Sequence, residues 1–191
     1  MPITVNGSGT ITGVSVGGLP DGIVDTDMLA AGAVTAAKRG TGAVLQFKSA
    51  EYTTRTSVTT VIPFDDTVPQ NDEGTEIITL AITPTSTSNK LVIEFSMPAW
   101  DGGTAIIGGV GLFQDSTADA IAFAFNVNNA QTYSKQLGLI HIMDAGTTSS
   151  TTFKIRVGPH ANTMFLNRRQ DATYFGATTL HTTLRITEIA V

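Results

Sequence analysis

Thr152-Phe153-Lys154-Ile155-Arg156-Val157 is the clearest alternation of apolar and charged residues in the chain. Successive side chains of an extended chain point to opposite sides, so Phe153, Ile155 and Val157 share one face and Lys154 and Arg156 the other. Such a strand needs a partner layer for its apolar face. The same grammar recurs outward from this point in both directions. Upstream, Lys135 to Met143 is continuous enough in apolar residues to be buried on both faces. Ala120 to Val127 lies between a turn at Asp115 to Asp119 and a turn at Asn128-Asn129. Ile106 to Phe113 is apolar but broken by Gly108, Gly109 and Gly111, which signals a bulge or a close backbone crossing. Leu91, Ile93 and Phe95 alternate with Val92, Glu94 and Ser96 as a half-buried strand, and Ile78, Leu80 and Ile82 form one face of Glu76 to Thr83, stopped by Pro84.

Further upstream, Val58 to Ile62 reads as a strand ended by Pro63 and the turn-prone Asp65-Asp66, Pro69 to Gly74 as a polar loop, and Val44 to Phe47 as a strand. Downstream come a short strand at Thr163 to Asn167 and a closing one over Leu180 to Val191. There Leu184 and Ile186 alternate with Arg185 and Thr187 before the parity changes near Glu188. Ten or so strands at short spacing, with no convincing helix after Val44, predict an all-β, antiparallel β-sandwich of jelly-roll type.

Composition agrees. Of 191 residues, 41% are hydrophobic and only 14% charged, below the roughly 25% charged of an ordinary soluble domain. Uncharged Thr, Ser, Gly and Asn replace charge, which suits strands and turns. A net charge of −5 argues against nucleic acid, since phosphate binding needs clustered Lys and Arg, and Arg168-Arg169 is the one basic pair of note after Lys38-Arg39. With no cysteine, disulfides and thiolate metal sites are excluded. The beginning of the sequence shows no basic region followed by an apolar run, so no signal peptide is expected, and no run of about 18 apolar residues predicts membrane insertion.

The first 43 residues have a different texture from residues 44–191, and the boundary between two domains is expected there. Gly22-Ile23-Val24, Gly32-Ala33-Val34 and Gly42-Ala43-Val44 repeat a triplet every ten residues. So short a unit cannot cover its own apolar side and buries it against a neighbour or an identical chain. A flexible linker with accidental spacing is the alternative. Asp25 to Lys38 admits a helix, but Gly32 weakens it, and a helical turn at Thr26 to Ala31 followed by extended chain is preferred. Before the repeats, Thr10-Ile11-Thr12 and Val14-Ser15-Val16 alternate between glycines, the pattern of a segment that is either disordered or, where a partner exists, pinned onto another surface. The residues expected to attach or trimerise this arm are Ile11, Val14, Val16, Leu19, Ile23, Val24, Met28, Leu29 and Val34.

Several of these pieces together resemble bacteriophage virion fibre proteins, especially those of marine and cyanobacterial phages. In the arm they are Gly9-Thr10-Ile11-Thr12-Gly13-Val14, Gly18-Leu19-Pro20-Asp21-Gly22 and the ten-residue pattern through Lys38. In the remainder they are Ile82-Thr83-Pro84, Ser88-Asn89-Lys90-Leu91, Thr152-Phe153-Lys154-Ile155, Phe165-Leu166-Asn167-Arg168 and Leu184-Arg185-Ile186-Thr187-Glu188-Ile189. The resemblance implies a homotrimer with an N-terminal attachment arm that docks on other virion proteins and a β-sandwich head. Such a protein is made in the host cytoplasm, sits on the tail or capsid exterior, and binds a host surface glycan or protein without catalysis. A capsid decoration, cement or head-fibre protein is the alternative. A trimeric bacterial adhesin or lectin would need a secretion route. The repeat stops after two full units, so the object is a stub carrying a head.

No catalytic, cofactor or metal site is expected. His141, His160 and His181 lack the paired spacing of metal ligands, and His141 reads as a core or interface residue; in the trimer that the resemblance implies, stacking along the axis is a role open to His181. Asp65-Asp66 and Asp25-Thr26-Asp27 lack the spaced ligand series that calcium needs and read as turn and cap residues. Asp101-Gly102-Gly103 is a turn, and Gly108 to Gly111 lacks the following Lys of a phosphate loop. Glu51, Glu73, Glu76, Glu94 and Glu188 are too scattered for a glycosidase pair. Aromatics beside Asp and Asn are a sugar-binding combination, which makes Trp100, Tyr133 and Tyr174 the candidate receptor contacts, with core packing the other reading of Trp100.

Overall fold

In the computed structural model the described residues are 33–34, 36–102, 106–128, 134–168 and 179–191. The chain divides into two compact units, Met1–Arg39 and Gly40–Val191. In the first, the described residues contain one short helix, α1 (Ala36–Arg39). It stands where extended chain was expected; the turn expected at Thr26 to Ala31 lies outside the described residues. Four residues of good helix-forming type, with Lys38 and Arg39 at the negative end of the helix dipole, account for this single turn.

The second unit holds ten strands among the described residues: β1 (Val44–Tyr52), β2 (Thr56–Val58), β3 (Thr75–Ile82), β4 (Lys90–Gly102), β5 (Ile106–Gln114), β6 (Ala122–Asn128), β7 (Ser134–Asp144), β8 (Thr151–Pro159), β9 (Thr163–Leu166) and β10 (Thr182–Ile189). All pairings are antiparallel. One sheet runs β1-β10-β4, with β7 along the other edge of β4. β9 and then β2 continue the β10 side past the end of that strand. The second sheet runs β3-β8-β5-β6. Along the eight longer strands every link but β5 to β6 crosses between the sheets. That interlocking of Greek keys is the jelly-roll sandwich expected from the sequence.

The core between the sheets is built by the alternating positions. Phe153, Ile155 and Val157 of β8 face Leu91, Ile93 and Phe95 of β4, all buried, with Leu184 and Ile186 of β10 beside them. Burying a side chain of this size contributes about 1.5–3 kcal/mol, so these positions fix which side of each strand is inside. A slip of one residue would turn every one of them to solvent.

Three expectations need correction, and a fourth, the two readings left open for β5, is decided. The strand expected at Val58 to Ile62 is β2, Thr56–Val58, and Ile62 is instead buried in the following segment, its N–H donating to Pro159 O at 3.0 Å. The β5 ladder is regular on both sides, so its glycines mark a close approach and no bulge: a Cβ on Gly109 would collide with the ring of Phe123. β7 is not buried on both faces. Leu137 and Leu139 are inside, but Ile140 and Ile142 are 70% and 60% exposed, because β7 is an edge strand whose outer side no described residue covers. Finally, parity does not change near Glu188. β10 pairs with β4 without a shift through Ile189, so Glu188 points inward with Leu184 and Ile186 and is fully buried. The shift beside it lies on the other edge of β10, in β1 between Val44 and Gln46.

Candidate functional site

The chemistry of the head is concentrated in three places. The first is Glu188. β10 carries its carboxylate inward at the end of the sandwich where the link from β3 to β4 turns. Thr85 donates to Oε1 through its amide at 2.7 Å and its hydroxyl at 2.8 Å, and Asn89 Nδ2 adds a third bond at 2.6 Å. Gln46 Nε2 donates to Oε2 at 2.6 Å and to Thr83 O at 2.7 Å. Burial pushes the carboxyl toward its neutral form. The bonds from Asn89, Thr85 and Gln46 outweigh that, and the net effect holds Glu188 below its usual value. Neutral donors from β1 and the β3–β4 turn thus hold an ionised group that ties three segments together, a structural role.

Asn167 acts in the same way at the other end of β10. Its backbone has φ 54°, its Nδ2 donates to Tyr52 O at 2.7 Å and Thr54 O at 3.2 Å, and its Oδ1 accepts from Thr182 Oγ1 at 2.9 Å. Next to it, the Arg168 guanidinium lies 5.4 Å from the Phe165 ring centre, a cation–π contact.

The second place is the outer face of the four-stranded sheet. Gly109 and Gly158 stand side by side on β5 and β8; the missing side chain at Gly109 lets Phe123 lean over β5, and that at Gly158 admits Thr60 and Ile62. Phe64, from the segment after β2, meets Phe125 edge-on at 6.0 Å, and both rings are largely exposed. Residues 69–71 are tied to 118–120 by Asn71 N–H to Ala118 O at 2.8 Å and Ala120 N–H to Pro69 O at 2.9 Å. That strap lies beside Phe113, which stands opposite Lys154 on the outward side and is buried all the same.

The third is the outer face of the six-stranded sheet. Register places Phe47, Thr187, Val92 and Ile142 in one row across four strands, and Ser49, Arg185, Glu94 and Ile140 in the next. The row beyond ends at Gly138, opposite Ser96. With no side chain there, a depression of about 390 Å³ opens, lined by Glu94, Ser96, Gly138, Ile140, Thr183 and Arg185. Its rim mixes hydroxyls, one carboxylate, one guanidinium and an exposed isoleucine.

The predicted site residues fare unevenly. Ile11, Val14, Val16, Leu19, Ile23, Val24, Met28 and Leu29 lie outside the described residues, as do Tyr133 and Tyr174. Val34 is exposed. The backbone of Trp100 belongs to β4, opposite Ser134 and Phe165. His141 is half-buried on β7, and His181 lies 3.5 Å from Glu51. Asp65 is a turn residue, its carboxylate accepting from the hydroxyl and amide of Thr67, which hold it below the usual range. Among the described residues no three His, Cys, Asp or Glu side chains gather as a metal site, and no helix is long and apolar enough to cross a membrane. Sequence reasoning missed the outer face of the six-stranded sheet. The signal was present in Leu137, Leu139, Ile140 and Ile142, whose apolar side chains occupy both parities of one strand.

The class that strand order defines is a jelly-roll β-sandwich. No protein-family profile and no curated protein sequence matches the chain. Solved structures offer distant likenesses. One is the structure of infectious bursal disease virus, Gx strain, at 10% identity and TM-score 0.40, covering 78% of this chain and 40% of that one. Another is dimeric latent PorU from Porphyromonas gingivalis, at 9% identity and TM-score 0.33, covering 79% and 14%. A third is the enzymatically active domain of tailspike protein 4 of bacteriophage CBA120, at 12% identity and TM-score 0.26, covering 64% and 18%. The chain thus spans 40% or less of each of these. At such scores the fold rests on strand order, and function rests on the residues.

Proposed function

We propose that this chain is a non-enzymatic phage virion structural protein: a short homotrimeric fibre, docked on other virion proteins by residues 1–43 and presenting residues 44–191 to the host surface. The observation that carries this reading is the jelly-roll order of the head, an architecture used for viral shells and for lectins. A Gly-rich repeat arm leads directly into its first strand. A closed sandwich contributes rigid surface, and the arm contributes apolar positions, Ile11 to Val34, that need a partner to be buried. In this reading Trp100, Tyr133 and Tyr174 contact a host glycan or protein, and the protein works without cofactor or metal.

The test is gold-labelled antibody against residues 44–191 on purified particles, combined with an arm deletion lacking residues 1–43. The fibre reading expects label at the tail and its loss, with loss of adsorption, when the arm is removed. Label spread over the capsid, with adsorption intact and particles less robust after deletion, assigns the protein to capsid decoration or cement. Particles that carry no label refute both.

A further inference from the structure

We propose that the outer face of the six-stranded sheet is where copies of this chain meet, Ile140 of one copy entering the depression over Gly138 of another. The proposal rests on the reading above, in which copies of this chain associate, and adds to it a two-fold contact between copies, separate from the threefold seam of a trimer. Three features of the face converge. Ile140 is the most exposed of the large apolar side chains described, at 70%, and it stands on the same strand and the same side as the glycine that leaves the depression. Knob and hole therefore occur together on every copy, which is what a self-complementary contact requires. In the neighbouring row Ile142 stands next to Val92, and Phe47 closes the far end beyond Thr187, with exposures of 60% for Ile142 and 58% for Phe47. Isolated exposed apolar residues need no explanation, but several on one sheet face near a concavity mark an interaction surface.

Charge selects the occupant. Glu94 and Arg185 stand opposite each other at the centre of the face, one of each sign. A second copy brings an arginine to the glutamate and a glutamate to the arginine, so the face meets itself without like-charge repulsion. A strongly cationic or anionic partner finds half of the pair against it. The outer face of the four-stranded sheet also sets one carboxylate opposite one guanidinium, Glu76 and Arg156, but these two are already joined at 3.6 Å and the depression beside them has no exposed apolar side chain on its rim, so it is the weaker candidate.

The test uses the full chain, with mass read by light scattering and folding by circular dichroism. Glu94→Arg and Arg185→Glu, each alone, should weaken self-association by about tenfold or more, and the double reversal should restore it. Gly138→Leu, which fills the depression at a position where a Cβ meets only ordinary van der Waals contact at 3.6 Å, should break association in a folded protein. Because the chain has no cysteine, a benzophenone maleimide on Ile140→Cys reports what covers that position. Cross-links to residues 138–142 of a second copy support the proposal, whereas cross-links to residues 1–43 overturn it in favour of the arm as occupant. Oligomers whose mass ignores all these substitutions also overturn it while leaving self-association standing. A wild-type protein that stays at 20.0 kDa at every concentration removes both.

Discussion

Glu188 is the residue whose chemistry is furthest from ordinary, since a carboxylate with no exposed surface is kept charged by neutral donors alone in the bonds that the structure gives it. Its folded value lies below the usual 4.5, so the fold favours the ionised form. The stabilisation is complete above about pH 4.5 and is lost as pH falls through the folded value. Denaturant titrations of wild type and Glu188→Gln from pH 7 to pH 3 should therefore converge on the acid side. At pH 7 the variant should be less stable by about 2–3 kcal/mol, the cost of leaving buried donors mismatched. A gap that stays constant with pH would reject the ionised assignment. Asn167 admits a second test. Asn167→Gly keeps the left-handed backbone and loses the side-chain bonds, whereas Asn167→Ala loses both. Alanine should lie below glycine by about 1 kcal/mol in thermal or denaturant unfolding, the strain of an L-residue in that region. Equal stabilities would mean that the backbone there relaxes freely.

At the scale of elements, the glycines of the four-stranded sheet separate two kinds of close approach. A Cβ on Gly158 would sit 2.5 Å from Thr60 O and 3.0 Å from Ile62 Cγ1, and a backbone carbonyl has nowhere to go. A Cβ on Gly109 would strike the Phe123 ring, whose side chain is partly exposed and can swing outward. Gly158→Ala should therefore cost about 2–3 kcal/mol and Gly109→Ala under about 1, measured by thermal unfolding. The reverse order would show that the segment before β3 is the softer neighbour. The same contrast explains what could be read in advance. β3, β4 and β8 were legible because one parity is apolar and the other polar or charged, so period and burial coincide. β7 was not, since Ile140 and Ile142 are as apolar as Leu137 and Leu139, and periodicity cannot distinguish a second buried face from a surface left for another molecule. Glu188 was misjudged for the opposite reason. A charged residue at an inward position looks like a change of parity until Thr85, Asn89 and Gln46, distant in sequence, are brought around it. The close approach over Gly109 was visible as a run of glycines, but its partner Phe123 was not.

For the whole molecule the decisive question is where cooperative structure begins. Gly42 N–H donates to Ala190 O at 2.8 Å and Ala190 N–H to Ala43 O at 2.9 Å, so the ladder that fastens β1 to β10 starts within a few residues of the boundary at Arg39 and Gly40. From there to Val191 the strands interlock through crossings between the sheets, and cutting inside any long one requires opening the core. A protease that must unfold several residues around its target will therefore act inside the sandwich only through rare global opening. Lys38 and Arg39 stand just outside that ladder, are exposed, and are cleavable by trypsin. Limited trypsin digestion of the free protein should accumulate a fragment beginning at Arg39 or Gly40, identified by N-terminal sequencing, long before the sandwich is cut. If residues 1–43 are the docking arm, the same cut should slow by about an order of magnitude or more in intact particles, because the bound arm must dissociate or open first. Comparable rates in free protein and particle would leave the head without an anchor in this segment. A free protein that resists trypsin at Lys38 and Arg39 would mean that the cooperative unit extends into the arm itself. Its apolar positions would then be buried without the virion, and anchoring would have to be sought on the head.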